Sequence, residues 1–64
     1  SVYRIYQYDK ITLDLVRVWD SMQEIIDENP DYHKIAIYSV ANGHKKSYRG
    51  FVWRTEIKNS LDNP

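Results

Sequence analysis

The spacing of hydrophobic and polar positions changes along the chain, and each spacing predicts a different element. Val2–Asp9 is dense in β-branched and aromatic residues and predicts a strand that ends at the polar pair Asp9-Lys10. Apolar and polar residues alternate along Leu13–Trp19, which predicts a second strand and an antiparallel hairpin. One face of this second strand is expected to carry Leu13, Leu15, Arg17 and Trp19.

Ser21 begins the first predicted helix. Its hydroxyl is placed to accept a hydrogen bond from the backbone N–H of Glu24, whose carboxylate reaches back in the S-x-x-E capping box. Met22, Ile25 and Ile26 recur at helical spacing and form one apolar stripe. Asn29-Pro30 ends the helix, because a residue before proline is displaced from the helical region.

A second helix is predicted from an N-cap at Asp31 to about Asn42, with Gly43 in the left-handed conformation beyond its end. Two short helices joined by a tight Asn-Pro-Asp turn form a helix-turn-helix unit, whose second helix commonly enters the DNA major groove. The face expected to be buried carries Ala36, Ile37, Val40 and Ala41. The opposite, exposed face carries Lys34, Ile35, Tyr38, Ser39 and Asn42.

After a polar loop, Phe51–Ile57 predicts a third strand. The order of elements predicts an α+β fold, a small β-β-α-α-β domain in which a helix-turn-helix packs on a short antiparallel sheet. Residues 1–57 are expected to form this single domain, and 58–64 a polar tail.

Composition narrows the classes of function. The chain has 64 residues, no cysteine and two histidines, so disulfides and thiolate zinc sites are excluded and no metal or other cofactor is expected. It has neither an apolar run of membrane-spanning length nor a signal-peptide pattern, which favours a cytoplasmic protein without a membrane partner.

The charge is divided between the two halves of the chain, although the whole is neutral. Residues 1–32 carry three cations and seven carboxylates, a net charge of −4, and residues 33–64 carry six cations and two carboxylates, a net charge of +4. A basic half suggests an anionic partner. The cations concentrate in the Gly-punctuated segment Asn42–Thr55, directly after the predicted recognition helix.

Duplex DNA is the partner that this arrangement favours. Lysines in the loop would contact phosphates, while Asn42 would pair with adenine and Lys34 with guanine in the major groove. The alternative is a solvated loop beside a core that contains Phe51 and Trp53, and a core position is also expected for Trp19. The candidate DNA-binding residues are Lys34, Tyr38, Ser39, Asn42, His44, Lys45, Lys46, Ser47, Tyr48 and Arg49.

The order of short motifs between Ile5 and Arg54 carries a family resemblance. I-x-Q-Y-D, V-x-V-W-D-S, I-x-x-V-A-N-G, K-K-S and G-F-V-W-R follow one another. The series resembles the nuclease-associated modular domains (the NUMOD class), helix-turn-helix units attached to HNH and GIY-YIG homing endonucleases and to phage proteins. Ile25, Ile26 and Asn29-Pro30-Asp31 depart from the small alanines and the Gly-Ile-Ser-like turn that are frequent in the family.

The resemblance implies a non-catalytic accessory module that targets double-stranded DNA, with a nuclease domain in the same parent chain. It also implies that Ile37 and Val40 lie in the core, that Lys45-Lys46-Ser47 form the loop on the DNA backbone, and that Trp53 lies on the return strand.

Intrinsic catalysis is not expected. The chain has neither the HNH framework nor the paired GIY and YIG strands, and its serines lack a base and an orienting partner at readable spacing. A monomer is favoured. The alternative function is a small protein–protein interaction module, suggested by the six tyrosines and by the oppositely charged halves.

Overall fold

The computed structural model describes residues 2–58, which form one antiparallel sheet with two helices. Strands β1 (Tyr3–Asp9), β2 (Leu15–Trp19) and β3 (Phe51–Ile57) have the order β2-β1-β3. Helix α1 (Met22–Glu28) lies against β2, and α2 (Lys34–Ala41) lies against β3. The predicted small α+β fold is confirmed; of the predicted tail, all but Lys58 lies outside the described residues.

The core forms between the helices and one face of the sheet. Strand β1 is paired along both edges, so Ile5 lies opposite both Trp19 and Thr55, and Gln7 lies opposite Trp53. Residues directly opposite one another project to the same side of a sheet. The buried apolar side chains are Ile5, Trp19, Met22, Ile25, Ile37, Val40 and Trp53, which confirms the core positions predicted for both tryptophans and for the apolar helix faces.

One polar side chain is buried in this core, within residues 2–58: Gln7, at 6% exposure. Its Oε1 accepts a hydrogen bond of 2.8 Å from the indole Nε1–H of Trp19. A buried indole N–H without an acceptor would lose its hydration and gain nothing in return. Gln7 therefore allows a large aromatic side chain from β2 to be buried beside the central strand.

Helix α1 has the predicted N-cap. The Ser21 hydroxyl accepts a hydrogen bond of 3.2 Å from the backbone N–H of Glu24. The Glu24 carboxylate accepts one of 3.0 Å from the backbone N–H of Asp20, one residue before the position that the capping box prescribes. Two N–H groups at the entry to a helix of only seven residues are satisfied in this way.

The β1–β2 hairpin differs from the prediction at its turn. Leu13 has a φ of 64° and lies outside the strand, and β2 begins at Leu15. A β-bulge shifts the register so that Tyr8 pairs with Leu15 while Gln7 pairs with Arg17. Leu15 therefore lies on the open side of the sheet, 52% exposed, and not on the Trp19 side as predicted.

Asp9 organises this turn. Its Oδ1 accepts hydrogen bonds from the backbone N–H groups of Ile11, at 2.8 Å, and Thr12, at 3.0 Å. The bonds from Thr12 and Ile11 hold the pKa of the Asp9 carboxyl below its usual range, because they stabilise the charged form. The turn is thus fixed by a side chain within the first strand.

The N-cap predicted for the second helix is wrong. Helix α2 begins at Lys34 with His33 at the N-cap position, and no side-chain hydrogen bond caps it there. Asp31 instead forms an ion pair with Arg49, at 3.0 Å. A tertiary contact with a guanidinium thus replaces the local contact with helix N–H groups. At the other end, Gly43 has the expected left-handed conformation, with a φ of 85°.

Neither helix of the described chain has the length and apolar character needed to cross a membrane.

Replacing Gln7 with Met is expected to destabilise the fold by roughly 1–3 kcal/mol, because it keeps the side-chain length but leaves the Trp19 N–H buried without an acceptor. For a domain of this size that is a large share of a total of roughly 3–10 kcal/mol. Urea unfolding of Gln7→Met, Trp19→Phe and the double variant measures the coupling between the two residues.

Gln23→Met is the matched control, because it makes the same replacement on an exposed helix position. It is expected to change stability by less than about 0.5 kcal/mol. Strictly additive effects of Gln7→Met and Trp19→Phe would show that the hydrogen bond contributes nothing to stability.

Candidate nucleic-acid interface

The segment that follows α2, residues 42–50, turns back onto the helix before it enters β3. The backbone N–H groups of His44 and Lys45 both donate to the carbonyl of Ser39, at 2.8 and 3.2 Å. Gly43 makes this reversal possible, because a positive φ is strained for other residues. We call residues His44–Ser47 the basic loop. Because its first two residues are bonded to Ser39, the loop begins beside the last turn of α2.

Tyr48 and Arg49 hold the far end of this segment. The Tyr48 hydroxyl accepts a hydrogen bond of 3.0 Å from the backbone N–H of His33, just before α2. The Tyr48 carbonyl accepts one of 3.2 Å from the indole N–H of Trp53. Tyr48 thus connects the start of α2 to the buried tryptophan of β3.

The Arg49 guanidinium contacts the loop between the helices. It forms an ion pair of 3.0 Å with the Asp31 carboxylate and donates to the Asp31 carbonyl at 3.2 Å. The same group lies 5.3 Å from the ring centroid of Tyr32 and 5.7 Å from that of Tyr48. These distances are within the range of cation–π attraction. Two residues predicted to contact DNA, Tyr48 and Arg49, are thus engaged within the protein.

The aromatic residues between the cations form a cluster under the start of α2. Tyr32 packs edge-on against Tyr48 and Trp53, at 5.8 and 6.1 Å between ring centroids, and Phe51 packs edge-on against Trp53 at 5.9 Å. Trp53 is fully buried, while the other three rings are partly buried against the core. Edge-to-face pairs contribute stability beyond their buried area. Phe51 and Trp53 therefore pack in or against the core, as expected if the loop before them is simply solvated.

Three of the predicted site residues meet in one groove between the helices. Lys34 and Ser39 from α2 and Lys45 from the basic loop line this groove, hereafter the helix groove, whose volume is about 640 Å³. Both lysine side chains are exposed. The Lys45 ammonium also lies 5.7 Å from the ring centroid of Tyr48, within the range of cation–π attraction.

Lys46 points to a different place from its neighbour Lys45. With Ser47, Lys10 and Val52 it lines a second depression, hereafter the turn site, at the end of the sheet. The predicted lysine pair is therefore divided between two depressions. Lys10 was not among the predicted residues, because only the pairing of β1 with β3 brings the hairpin turn next to a loop 36 residues later.

Tyr38 and Asn42 follow Lys34 at successive turns on the same face of α2, but they do not line the helix groove. Together with Tyr3 and Thr55 they line a shallow depression beside the sheet. Both are exposed, Tyr38 at 38%. Of the exposed face predicted for α2, Lys34, Ile35, Tyr38 and Asn42 are exposed and Ser39 is half-buried. His44 is exposed in the turn that follows the helix.

The ion pairs separate the arginines from the lysines. Three arginines pair with carboxylates, Arg4 with Asp20, Arg17 with Glu28, and Arg49 with Asp31. The remaining cations in residues 2–58, Arg54 and all five lysines, have no carboxylate within ion-pair distance among those residues. Three carboxylates of the acidic half are thereby neutralised in the fold. The basic loop and α2 keep their charge.

Sequence reasoning also missed His33, which lines the helix groove beside Lys34. It was not predicted as a site residue because the second helix was expected to begin two residues earlier, which would have placed His33 inside its first turn. Within residues 2–58, no three His, Asp or Glu side chains are grouped so that they could hold a metal ion.

Comparison of the chain with protein families, curated proteins and solved structures finds no match. The resemblance to the nuclease-associated modular domains stays a prediction.

Arg49→Ala is expected to lower the midpoint of thermal unfolding, because it removes the ion pair, the hydrogen bond and both aromatic contacts. Arg49→Lys is expected to lie between this variant and the wild type, since an ammonium keeps the charge but lacks the planar fork. Arg54→Ala is the matched control, because Arg54 is exposed and makes no ion pair within the described residues. Equal midpoints for Arg49→Ala and Arg54→Ala would contradict a structural role for Arg49.

Proposed function

We propose that this domain binds double-stranded DNA through α2 and the basic loop, and that it does so as a non-catalytic module. The observation that carries the proposal is the meeting of Lys34 and Lys45 in the helix groove without a carboxylate partner in residues 2–58. Two ammonium groups that share one groove repel each other, and an anionic ligand relieves that repulsion.

Phosphates are the anions that fit this surface. The groove is open and lies between two short helices, so it suits a ligand that passes across it more than one that is enclosed. Each phosphate that a lysine neutralises releases condensed counterions and adds affinity that is independent of base sequence. The Ser39 hydroxyl provides a neutral donor of the kind that also contacts the DNA backbone.

Base recognition would come from Tyr38 on α2 and from Asn42 directly after it. Both are exposed and lie one helical turn apart, so both can reach the edges of a few base pairs. An asparagine amide can form two hydrogen bonds with adenine in the major groove. The motif series from Ile5 to Arg54, which resembles helix-turn-helix modules of homing endonucleases, supports the same assignment.

The wild-type domain is expected to bind a labelled duplex with an affinity that falls steeply as salt rises. The Lys34→Ala/Lys45→Ala double variant is expected to reduce the slope of log K against log salt by roughly 1.8, at about 0.9 for each lost phosphate contact. Fluorescence anisotropy at four or more salt concentrations measures this slope.

Lys58→Ala is the matched control, since Lys58 follows β3 at the end of the sheet opposite to the basic loop. Its slope is expected to equal that of the wild type. No detectable binding at low salt, or binding without a salt slope, would refute the proposal.

Asn42→Ala is expected to change the ranking of duplex sequences, because the loss of a bidentate contact with a base removes roughly 1–3 kcal/mol of discrimination. The double lysine variant is expected to weaken all sequences alike. Selection from a randomised duplex pool, followed by sequencing, compares the two variants. An unchanged ranking for Asn42→Ala would exclude this residue from base recognition.

Self-association is the second candidate function, and one observation favours it. The open side of the sheet exposes a row of aliphatic side chains on the hairpin: Leu13, Leu15, Val16 and Val18. Contiguous apolar surface of this kind often marks a protein interface. The opposite charges of the two halves of the chain would suit a second copy as the partner. Sedimentation at several protein concentrations separates the candidates, because a constant monomer mass excludes this one.

A further inference from the structure

The turn site brings together two lysines that are far apart in the chain. Lys10 comes from the β1–β2 turn, and Lys46 comes from the basic loop together with Ser47. Val52 forms the apolar floor, and the depression has a volume of about 310 Å³. Both lysines are exposed and have no carboxylate partner in the described part of the chain.

The backbone holds the two sides of this site in place. The N–H of Lys10 donates to the carbonyl of Gly50 at 3.1 Å, and Asp9 pairs with Phe51 as the last pair between β1 and β3. Gly50 has a φ of 84°, which this close return of the chain requires. The Asp9 carboxylate, the nearest acid in sequence, accepts from the N–H groups of its own turn.

We propose that Lys10, Lys46 and Ser47 form a second phosphate-binding site for the DNA backbone. The inference rests on the proposed function and extends its contact surface to the hairpin turn. Two ammonium groups and a hydroxyl provide several N–H and O–H donors to one anion, and no acid in residues 2–58 pairs with either lysine. An exposed pair of like charges of this kind gains most when one phosphate lies between them.

The basic loop contributes one lysine to each depression. Lys45 lines the helix groove with Lys34, and Lys46 lines the turn site with Lys10. A duplex bound at both depressions would place backbone phosphates at α2 and at the hairpin turn.

The test is a salt titration of duplex binding with Lys10→Ala, Lys46→Ala and their double variant. Lys10→Ala is expected to weaken binding about fivefold, and the double variant, which removes the whole phosphate contact, is expected to reduce the salt slope by roughly 0.9. Because both lysines contact the same phosphate, the double variant is expected to lose less than the product of the two single losses. Lys10→Arg is expected to restore binding, and Lys58→Ala is the control for the loss of one charge.

The outcomes are distinguishable. If Lys10→Ala equals Lys58→Ala while Lys34→Ala/Lys45→Ala lowers the slope, the turn site is refuted and the proposed function stands. If the wild type binds no duplex, the site is tested by titration with inorganic phosphate, monitored by the NMR chemical shifts of the backbone amides. Shifts confined to Lys10, Lys46 and Ser47 would sustain an anion site, and their absence would overturn it. Circular dichroism shows whether each variant is folded.

Discussion

Seven residue pairs join β3 to β1, from Tyr3 with Ile57 to Asp9 with Phe51, and every other feature of the domain depends on this pairing. It connects the two ends of the described chain and makes β1 the central strand. It also places Trp53 opposite Gln7, where the helices cover it. A lone hairpin of β1 and β2 would be marginal in water, so the third strand and the buried tryptophan are what make so short a chain sufficient for a core.

The same pairing sets the position of the basic loop. Because Phe51 must lie beside Asp9, the chain between Ala41 and Phe51 has to return from the end of α2 to the turn of the hairpin. Gly43 and Gly50 provide the positive φ angles at the two ends of this return. Between them, Tyr48 and Arg49 attach the segment to the residues before α2, and the lysines remain on its surface.

Arginines and lysines differ in the contacts that they make within residues 2–58. Each paired arginine contacts a carboxylate, and Arg17 and Arg49 also lie over aromatic rings, as suits a planar guanidinium. Such exposed pairs contribute little stability each. Their larger effect is on the surface charge, because they neutralise acids of the N-terminal half. The lysines have no carboxylate partner within residues 2–58, and four of them line the two depressions beside the basic loop.

The local pattern of residues determined the elements of this protein. The β-branched and aromatic residues of Val2–Asp9, the spacing of Met22 and Ile25, and the glycine after α2 were enough to predict a strand, a helix and a helix end, because each depends on near neighbours in sequence. The exposed face of α2 followed from its period in the same way. The grouping of charges by sequence was also sufficient to find the region of the candidate interface.

Only the tertiary structure decided which of those charges act together. Asp31 was expected to cap α2, but it lies two residues before the N-cap position and pairs with Arg49. Leu15 lies on the face opposite to the predicted one because of the bulge in the β1–β2 pairing. Lys45 and Lys46 are adjacent in sequence but line different depressions, each together with a lysine from another element. The physical reason is that periodicity specifies which way a side chain points from its own element, whereas its neighbours in space depend on strand pairing over more than forty residues.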